Sequence, residues 1–454
     1  MARLATQHDA GKQPQMSAVV DFPAKPEARP YLDAALGHAG EPDWLARHRR
    51  RSLARFAEQG FPSRRGEAWR YLDLRPLEQS PLLPIRAIGA ISPTQLDNVS
   101  FAGGDHRLVL VDGRFMPDLS AIGGLPAGVW LGSTAAAIDA RPELVREALE
   151  IPSPDRDRGF AALNGAFFSD GFVLDVAPGV ILDRPIEIVH LASGEVSGSL
   201  HTRSFVALGA QSRIRLIETF SGMGRYWRND GISLQLSDGA DLDRVALVEE
   251  AVDALHLGDV GAVLGRNSRL ASFVLLLGGR TVRHEVAVRS AGEGAHCGLY
   301  GAFLLADRQE ANIVTTVEHM AERGETREVF KGVATGRAHG AFQGRITVRP
   351  GAQKVDAHML SRNLLLGARA AIDTKPELEI FADDVKCSHG AAVGDLDEAA
   401  LFYLLARGIP HDEARRMLMG GFLREAVEIV EPMAVREHLL SRLARRLTVL
   451  EEQA

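Results

Sequence analysis

A chain of 454 residues has room for two or three domains and a sizeable core, and its net charge of -7 argues against a nucleic-acid binder, which needs a basic surface. Its two cysteines, Cys297 and Cys387, stand far apart, which excludes a disulfide framework and suits a reducing compartment. The opening MARLATQHDAGKQPQM has no apolar h-region and no apolar run reaches the length of a membrane span, so the expectation is a cytoplasmic protein without a membrane partner.

In chain order, residues 1–30 are rich in Pro, Gln, Ala and Lys without periodicity and read as disordered. Residues 31–158 read as a mainly helical N-terminal subdomain. From Tyr31 to Glu58 an apolar face (Trp44, Leu45, His48, Leu53, Phe56, Ala57) lies beside Arg47, Arg49, Arg50, Arg51 and Arg55. In an acidic chain that arginine run reads as a solvated helix face before a nucleic-acid patch. Trp69 and Tyr71 are expected to anchor a turn or this subdomain to the core. Arg107–Met116 reads as strand, Asp-Gly turn and strand, Ala135–Glu150 as helix, and the polar Ser153–Gly159 as a linker and boundary.

From 159 to 393 the pattern changes to short alternating segments, among them Ile186–Ile188, Ile214–Leu216, Ile232–Leu236, Val282–Val288 and Ile313–Val317. Turn glycines separate many of them. Gly209, Gly239, Gly265, Gly294, Gly324 and Gly351 are spaced by 30, 26, 29, 30 and 27 residues, which suggests stacked units of a β-solenoid whose corners use glycine's access to positive φ. Spacing alone also allows a sandwich with regular hairpins.

Residues 394–454 read as a C-terminal helical subdomain. Asp395 can cap a first helix, with Leu401, Leu404 and Leu405 on one face and Gly408 as its stop. A second follows Pro410 through Met417, Leu418, Phe422, Leu423 and Val427, and a third, Ala434–Leu450, sets Leu439, Leu440, Leu443, Leu447 and Leu450 against Arg436, Arg442, Arg445 and Arg446.

Chemistry concentrates in Ala370–Gly394. Val385, Cys387 and His389 alternate with Lys386 and Ser388, so in a strand the thiol of Cys387 and the imidazole of His389 share a face. A thiolate with an imidazole suits zinc, copper or iron-sulfur chemistry. Two ligands do not complete a site that wants four, so a metal centre here needs ligands from another chain or is transient. The alternative is a buried thiol beside a hydrogen-bonded histidine.

Other candidates are weaker. His319, His339 and His358 do not follow the glycine period, Cys297 reads as a small core residue, and carboxylates such as Glu377, Glu379, Asp383 and Asp384 are routine in strands and turns. No G-x-x-x-x-G-K-[ST] is present, and Gly222-Met223-Gly224 and Gly292-Glu293-Gly294 lack a third glycine, so ATP hydrolysis belongs to a partner if the function needs it.

The run Asn363–Gly408, with Asp373-Thr374-Lys375-Pro376 and Asp383-Asp384-Val385-Lys386-Cys387-Ser388-His389-Gly390, closely resembles the SufB/SufD family of iron-sulfur cluster assembly proteins, its SufD branch in particular. The resemblance extends to Val348–Lys354, Phe330–Val333 and Arg65–Tyr71. It implies a mainly β fold, a right-handed parallel β-helix flanked by helical subdomains. It also implies a non-catalytic scaffold that pairs edge to edge with a SufB-like paralogue, with a self-dimer also possible. The C-terminal helices would dock a SufC-like ATPase, for which Met417, Met419 and Phe422 are candidates, while a cysteine desulfurase and a sulfur-transfer protein act indirectly.

By the same resemblance His389, with Cys387 beside it, would hold iron or a nascent iron-sulfur cluster transiently at the partner interface. The chain would have a role in iron acquisition and bind no cofactor stably by itself. Two alternatives stand: a structural or interaction protein in which the Cys-x-His pair is inert, and a β-helix polysaccharide-active enzyme using Asp373, Asp383 and Asp384.

Overall fold

The alternating segments form two sheets that coil around one apolar lumen. The structure, a computed structural model, describes residues 24–35, 40–101, 105–151, 159–195 and 197–452. Most of the N-terminal stretch and of the linker expected from sequence lies outside them. The strands are β1 (His106–Val111), β2 (Arg114–Phe115), β3 (Val129–Ser133), β4 (Phe172–Val176), β5 (Ile186–Ala192), β6 (Gly198–Leu208), β7 (Arg213–Gly222), β8 (Tyr226–Leu236), β9 (Asp241–Glu249) and β10 (Leu255–Leu264). They continue as β11 (Arg269–Leu276), β12 (Thr281–Ser290), β13 (His296–Leu305), β14 (Glu310–His319), β15 (Glu325–Ala334), β16 (His339–Val348), β17 (Asp356–Leu365), β18 (Ala371–Ile380) and β19 (Lys386–Gly394).

From β4 onward successive strands alternate between the sheets. One sheet runs β19-β17-β15-β13-β11-β9-β7-β5-β1-β2 and the other β18-β16-β14-β12-β10-β8-β6-β4-β3. Neighbours in this run are parallel and in register, so Leu270 of β11 faces Leu242 of β9 and Cys297 of β13. This is a β-solenoid of about eight coils. Its inward-facing side chains stack in columns and fill the lumen with Leu216, Leu242, Val260, Ile313, Phe342 and their neighbours. The sheets begin before residue 159: β1 pairs with β5 and β3 with β4, so part of the region read as helical extends the solenoid.

The coil period matches the glycine spacing, but the corner works differently. Gly179, Gln211, Gly239, Asn267, Gly294, Arg323 and Lys354 stack at one corner with φ between 51 and 74°. Each N–H donates to a carbonyl of the next coil, as Gln211 does to Asp238 (3.0 Å) and Asn267 to Glu293 (2.9 Å). That hydrogen bond offsets the roughly 1–2 kcal/mol a non-glycine residue costs in the left-handed region. Of the six spaced glycines only Gly239 and Gly294 have positive φ. Gly209 is needed for another reason: a Cβ there would lie 2.4 Å from the Pro178 nitrogen of the adjacent coil.

Helices α1 (Arg29–Ala34), α2 (Asp43–Gln59), α3 (Arg75–Gln79), α4 (Pro93–Val99), α5 (Thr134–Ala140), α6 (Pro142–Leu149) and α7 (Phe160–Phe167) precede the main run of strands, and α8 (Glu398–Leu405), α9 (His411–Val427) and α10 (Met433–Glu452) follow it. Tyr31, Phe56, Phe61, Trp69 and Phe160 pack on Trp227, Leu255 and Leu257 of the nine-stranded sheet. Trp69 does anchor this layer: the Arg283 guanidinium lies 3.9 Å from its ring centroid and donates to the Ala68 carbonyl at 2.9 Å. On the other sheet α9 and α10 bury Leu423, Val427, Leu439, Leu443 and Leu447 against Val245, Leu247, Phe273, Leu275 and Leu304. Arg442 ties α10 to Glu249, and Lys331 ties β15 to Glu425 of α9.

The lumen also holds charge. Arg244 donates to Glu218 at 2.5 Å, and Arg228 and His256 meet Glu250 at 2.6 and 2.9 Å, all buried. Burial alone would raise the Glu250 carboxyl, but Arg228 and His256 hold it down at about 2. Removing one member of such a pair leaves an unmatched charge and costs about 3–5 kcal/mol.

Candidate functional site

β18 and β19 are the last rungs of their sheets, and among the described residues no strand lies beyond them. Their residues are half-buried or exposed throughout, whereas β16, one rung in, is mostly buried. Ten- and nine-residue strands therefore present an open edge of backbone donors and acceptors, the kind of surface another chain can extend.

Register puts the Cys-x-His pair at the mouth of the lumen. Cys387 faces Ala357 and His389 faces Met359, and both of those β17 residues are buried in the lumen core. The column behind Cys387 is Ala357, Thr326, Cys297; the column behind His389 is Met359, Glu328, Leu299. Thiol and imidazole thus share the inward face, as alternation predicts. Cys387 is half-buried against the end of the core while His389 is exposed. Burial pushes the Cys387 thiol up and the Asp356 carboxylate adds to this, against a backbone hydrogen bond from Ala357. A metal ion bound by this thiol would have to displace that proton.

Ser388, between them, faces outward. Its hydroxyl lies 2.5 Å from His358 Nδ1, and His358 Nε2 is 2.8 Å from Asp356 Oδ1, which also pairs with Arg327 at 2.8 Å. This chain of contacts on the outer face fixes β19 to β17 and so sets the direction of its neighbours. Among the described residues no three His, Cys, Asp or Glu side chains gather as a metal site.

The other histidines do not form a ladder. His319 is buried against Thr326 (2.8 Å), and His339 pairs with Asp373 (2.7 Å) near the rim. Cys297 is a core residue whose thiol burial pushes well up. Carboxylates of β18 are in ion pairs or hydrogen bonds, Glu377 with Lys375 at 3.0 Å and Glu379 with the Thr347 hydroxyl at 2.8 Å.

A second surface adjoins the edge. Asp397, not Asp395, caps α8, accepting from Ala399 and Ala400 at 2.8 and 3.1 Å, and only residues 395–397 separate that helix from β19. α8 buries no residue, and Phe402 and Tyr403 are 73% and 56% exposed. Of the three docking candidates from sequence, Met417 is 49% exposed, whereas Met419 and Phe422 pack on the cluster that covers the sheet. Phe402 and Tyr403 were missed. The signal was present: Ala399–Leu405 is apolar on every side, and such a helix must be buried or covered by a partner.

No described helix is long and apolar enough to cross a membrane. Two family models match the chain: the SufBD core domain of the SUF system for FeS cluster assembly over residues 190–422, and the SufBD protein N-terminal region over 102–188. The chain is 29% identical over 400 residues to the iron-sulfur cluster assembly protein SufD of Escherichia coli, covering 87% of this chain and 91% of that protein. It is 31% identical over 397 residues to the chloroplastic protein ABCI7 of Arabidopsis thaliana, covering 85% and 82%. A SufBD family protein of Synechocystis is 27% identical over 389 residues, covering 82% and 84%. With both family domains present in order and the similarity running almost end to end, the chain belongs to the SufB/SufD family of iron-sulfur cluster assembly proteins, as a member of SufD type.

Proposed function

We propose that this chain is a non-catalytic scaffold subunit whose open edge, β18 with β19, is extended by the edge of a SufB-like paralogue. Iron or a nascent iron-sulfur cluster is then held transiently between them by His389 and Cys387. The observation that carries this is the position of the pair: two soft or borderline ligands on the inward face of the last coil, where no described side chain of this chain joins them as a third ligand and a second chain could. His389, the exposed and unencumbered member, takes iron first, and Cys387 follows once a metal displaces its proton. A self-dimer would use the same edge. The pathway's sulfide comes from a cysteine desulfurase through a sulfur-transfer protein, and the complex works in the cytoplasm.

ATP turnover resides in a SufC-like subunit that docks on α8 and the exposed part of α9, through Phe402, Tyr403 and Met417. The linkage of only three residues between β19 and α8 carries movement of that subunit to the metal-holding strand.

The test is to purify the anaerobic complex with His389→Ala or Cys387→Ala in this chain, then measure partner retention, bound iron and visible cluster absorption. His389→Ala is expected to keep the paralogue and lose most of the iron and cluster, with a smaller loss for Cys387→Ala. Full cluster formation by His389→Ala would refute the assignment and leave the pair an inert structural feature. Separately, Phe402→Asp with Tyr403→Asp is expected to release the ATPase subunit from the complex while leaving the melting temperature of the isolated chain unchanged, since both side chains face solvent.

A further inference from the structure

Among the arginines of α2, Arg49 holds the fold, while Arg47, Arg50 and Arg51 share an exposed face. Arg49 pairs with Glu41 at 2.8 Å, donates to the carbonyls of Ala166 and Phe168 at 3.1 and 2.9 Å, and lies 4.4 Å over the Phe168 ring. Arg47, Arg50 and Arg51 occupy positions i, i+3 and i+4 of the same helix, so they lie on one face and repel each other. All three are exposed and make no ion pair or hydrogen bond among the described residues. They line a concavity of about 540 Å³ whose walls also include Trp44, Arg146 and Leu149. His48 and one carboxylate, Glu150, complete it. Arg146 enters from α6, its guanidinium 5.0 Å from the Trp44 ring and 3.1 Å from Glu143, both partners of that ion pair being largely in solvent.

Four guanidinium groups around one concavity are a cost to a chain that needs only a solvated helix face, and the cost disappears when an anion sits among them. The planar fork of arginine matches two phosphate oxygens at once, and several forks converging from two helices match adjacent phosphates better than a single carboxylate. The volume falls in the range of small-ligand sites, and Trp44 with Leu149 supplies an apolar wall. We propose that this α2/α6 pocket binds a polyphosphate group, two or more linked phosphates, either free or carried by a nucleotide. It shares no residue with the β18/β19 edge or α8 and stands whether or not the metal-site reading does.

The test uses the full-length chain at low ionic strength, where exposed charges are least screened. Inorganic triphosphate and ATP are titrated separately, with Trp44 fluorescence and calorimetry as readouts. Saturable binding is expected, with the fluorescence change absent in Trp44→Phe, affinity weakened at least about tenfold in Arg50→Gln/Arg51→Gln, and affinity little changed in the distant charge control Arg225→Gln. Equal affinities for the two probes assign recognition of the phosphates alone, and tighter binding of ATP assigns a nucleotide. Failure of both probes to saturate by about millimolar concentration, or equal weakening by the Arg225 control, overturns the proposal. The substituted arginines are exposed, so unchanged melting temperatures separate loss of binding from loss of fold.

Discussion

A chain ending at Gly394 is expected to aggregate rather than to form a shorter solenoid. The cut removes α8, α9 and α10, and with the last two it removes the cover of the outer face of β9, β11, β13 and β15. Val245, Leu247, Phe273, Leu275, Leu304 and Val333, now buried against Leu423, Val427, Leu439, Leu443 and Leu447, would meet water. At about 1.5–3 kcal/mol for each large apolar side chain, uncovering the sheet residues alone costs on the order of 10 kcal/mol. That is comparable to the whole net stability of a typical domain, about 5–15 kcal/mol. Lys331 and Glu249 would also lose Glu425 and Arg442. Size-exclusion chromatography and thermal melting check this: aggregation or a lost cooperative transition is expected, and a monomer melting at the full-length temperature would contradict it. The consequence for function is direct. On the proposed docking of an ATPase subunit, its loss from such a truncation would say nothing about the contact, whereas its loss on changing Phe402 and Tyr403 would.

Much of the fold was legible because a solenoid writes its period into the chain. Alternation within segments marked the strands, and the spacing of Gly209, Gly239 and Gly265 marked the coils. The cause of that spacing was less legible, since Gln211 and Asn267 hold the same left-handed corner as Gly239 by hydrogen bonding to the next coil. Such bonds join residues about thirty apart and leave no local trace. The site was legible only to the strand. Alternation placed Cys387 and His389 on one face, but whether that face opened to the lumen or to solvent depended on register with Ala357 and Met359. The start of the solenoid was hidden for a similar reason, because β1 and β3 reach their sheets across long separations in sequence. In α8 the alternation of apolar and polar residues that normally signals a buried face is absent, and reading Leu401, Leu404 and Leu405 as a packed stripe overlooked Phe402 and Tyr403.

Register also sets the lumen column behind His389, and there the second large effect arises. Glu328 lies two rungs in, behind Met359, and is buried. One carboxyl oxygen accepts from the Thr315 hydroxyl at 2.6 Å, and the other has no partner among the described residues. Burial raises its pKa to about 8 against the opposing hydrogen bond from Thr315, compared with 4.5 for a free side chain. Between those values the unfolded chain releases the proton and the folded chain keeps it, so the unfolded state binds fewer protons and folding stability falls as pH rises from about 4.5 to about 8. Below that window the contribution is fully present, and above it no further loss accrues.

Glu328→Gln keeps an acceptor for Thr315 and removes the ionisation. Wild type and variant are therefore expected to have similar stability near pH 4.5, or the variant slightly less, because its amide N–H groups need partners. At pH 8 the variant is expected to be more stable by on the order of a few kcal/mol. Urea unfolding of both chains at the two pH values measures the difference directly, and other titrating groups such as Cys297 largely cancel in the comparison. Parallel stability profiles would mean that Glu328 ionises freely in the fold, and the lumen behind His389 would then carry a negative charge at neutral pH. On the proposed reading, a neutral Glu328 instead leaves the column behind His389 without a buried anion to draw a metal ion inward, so a metal held by His389 would stay at the mouth of the lumen.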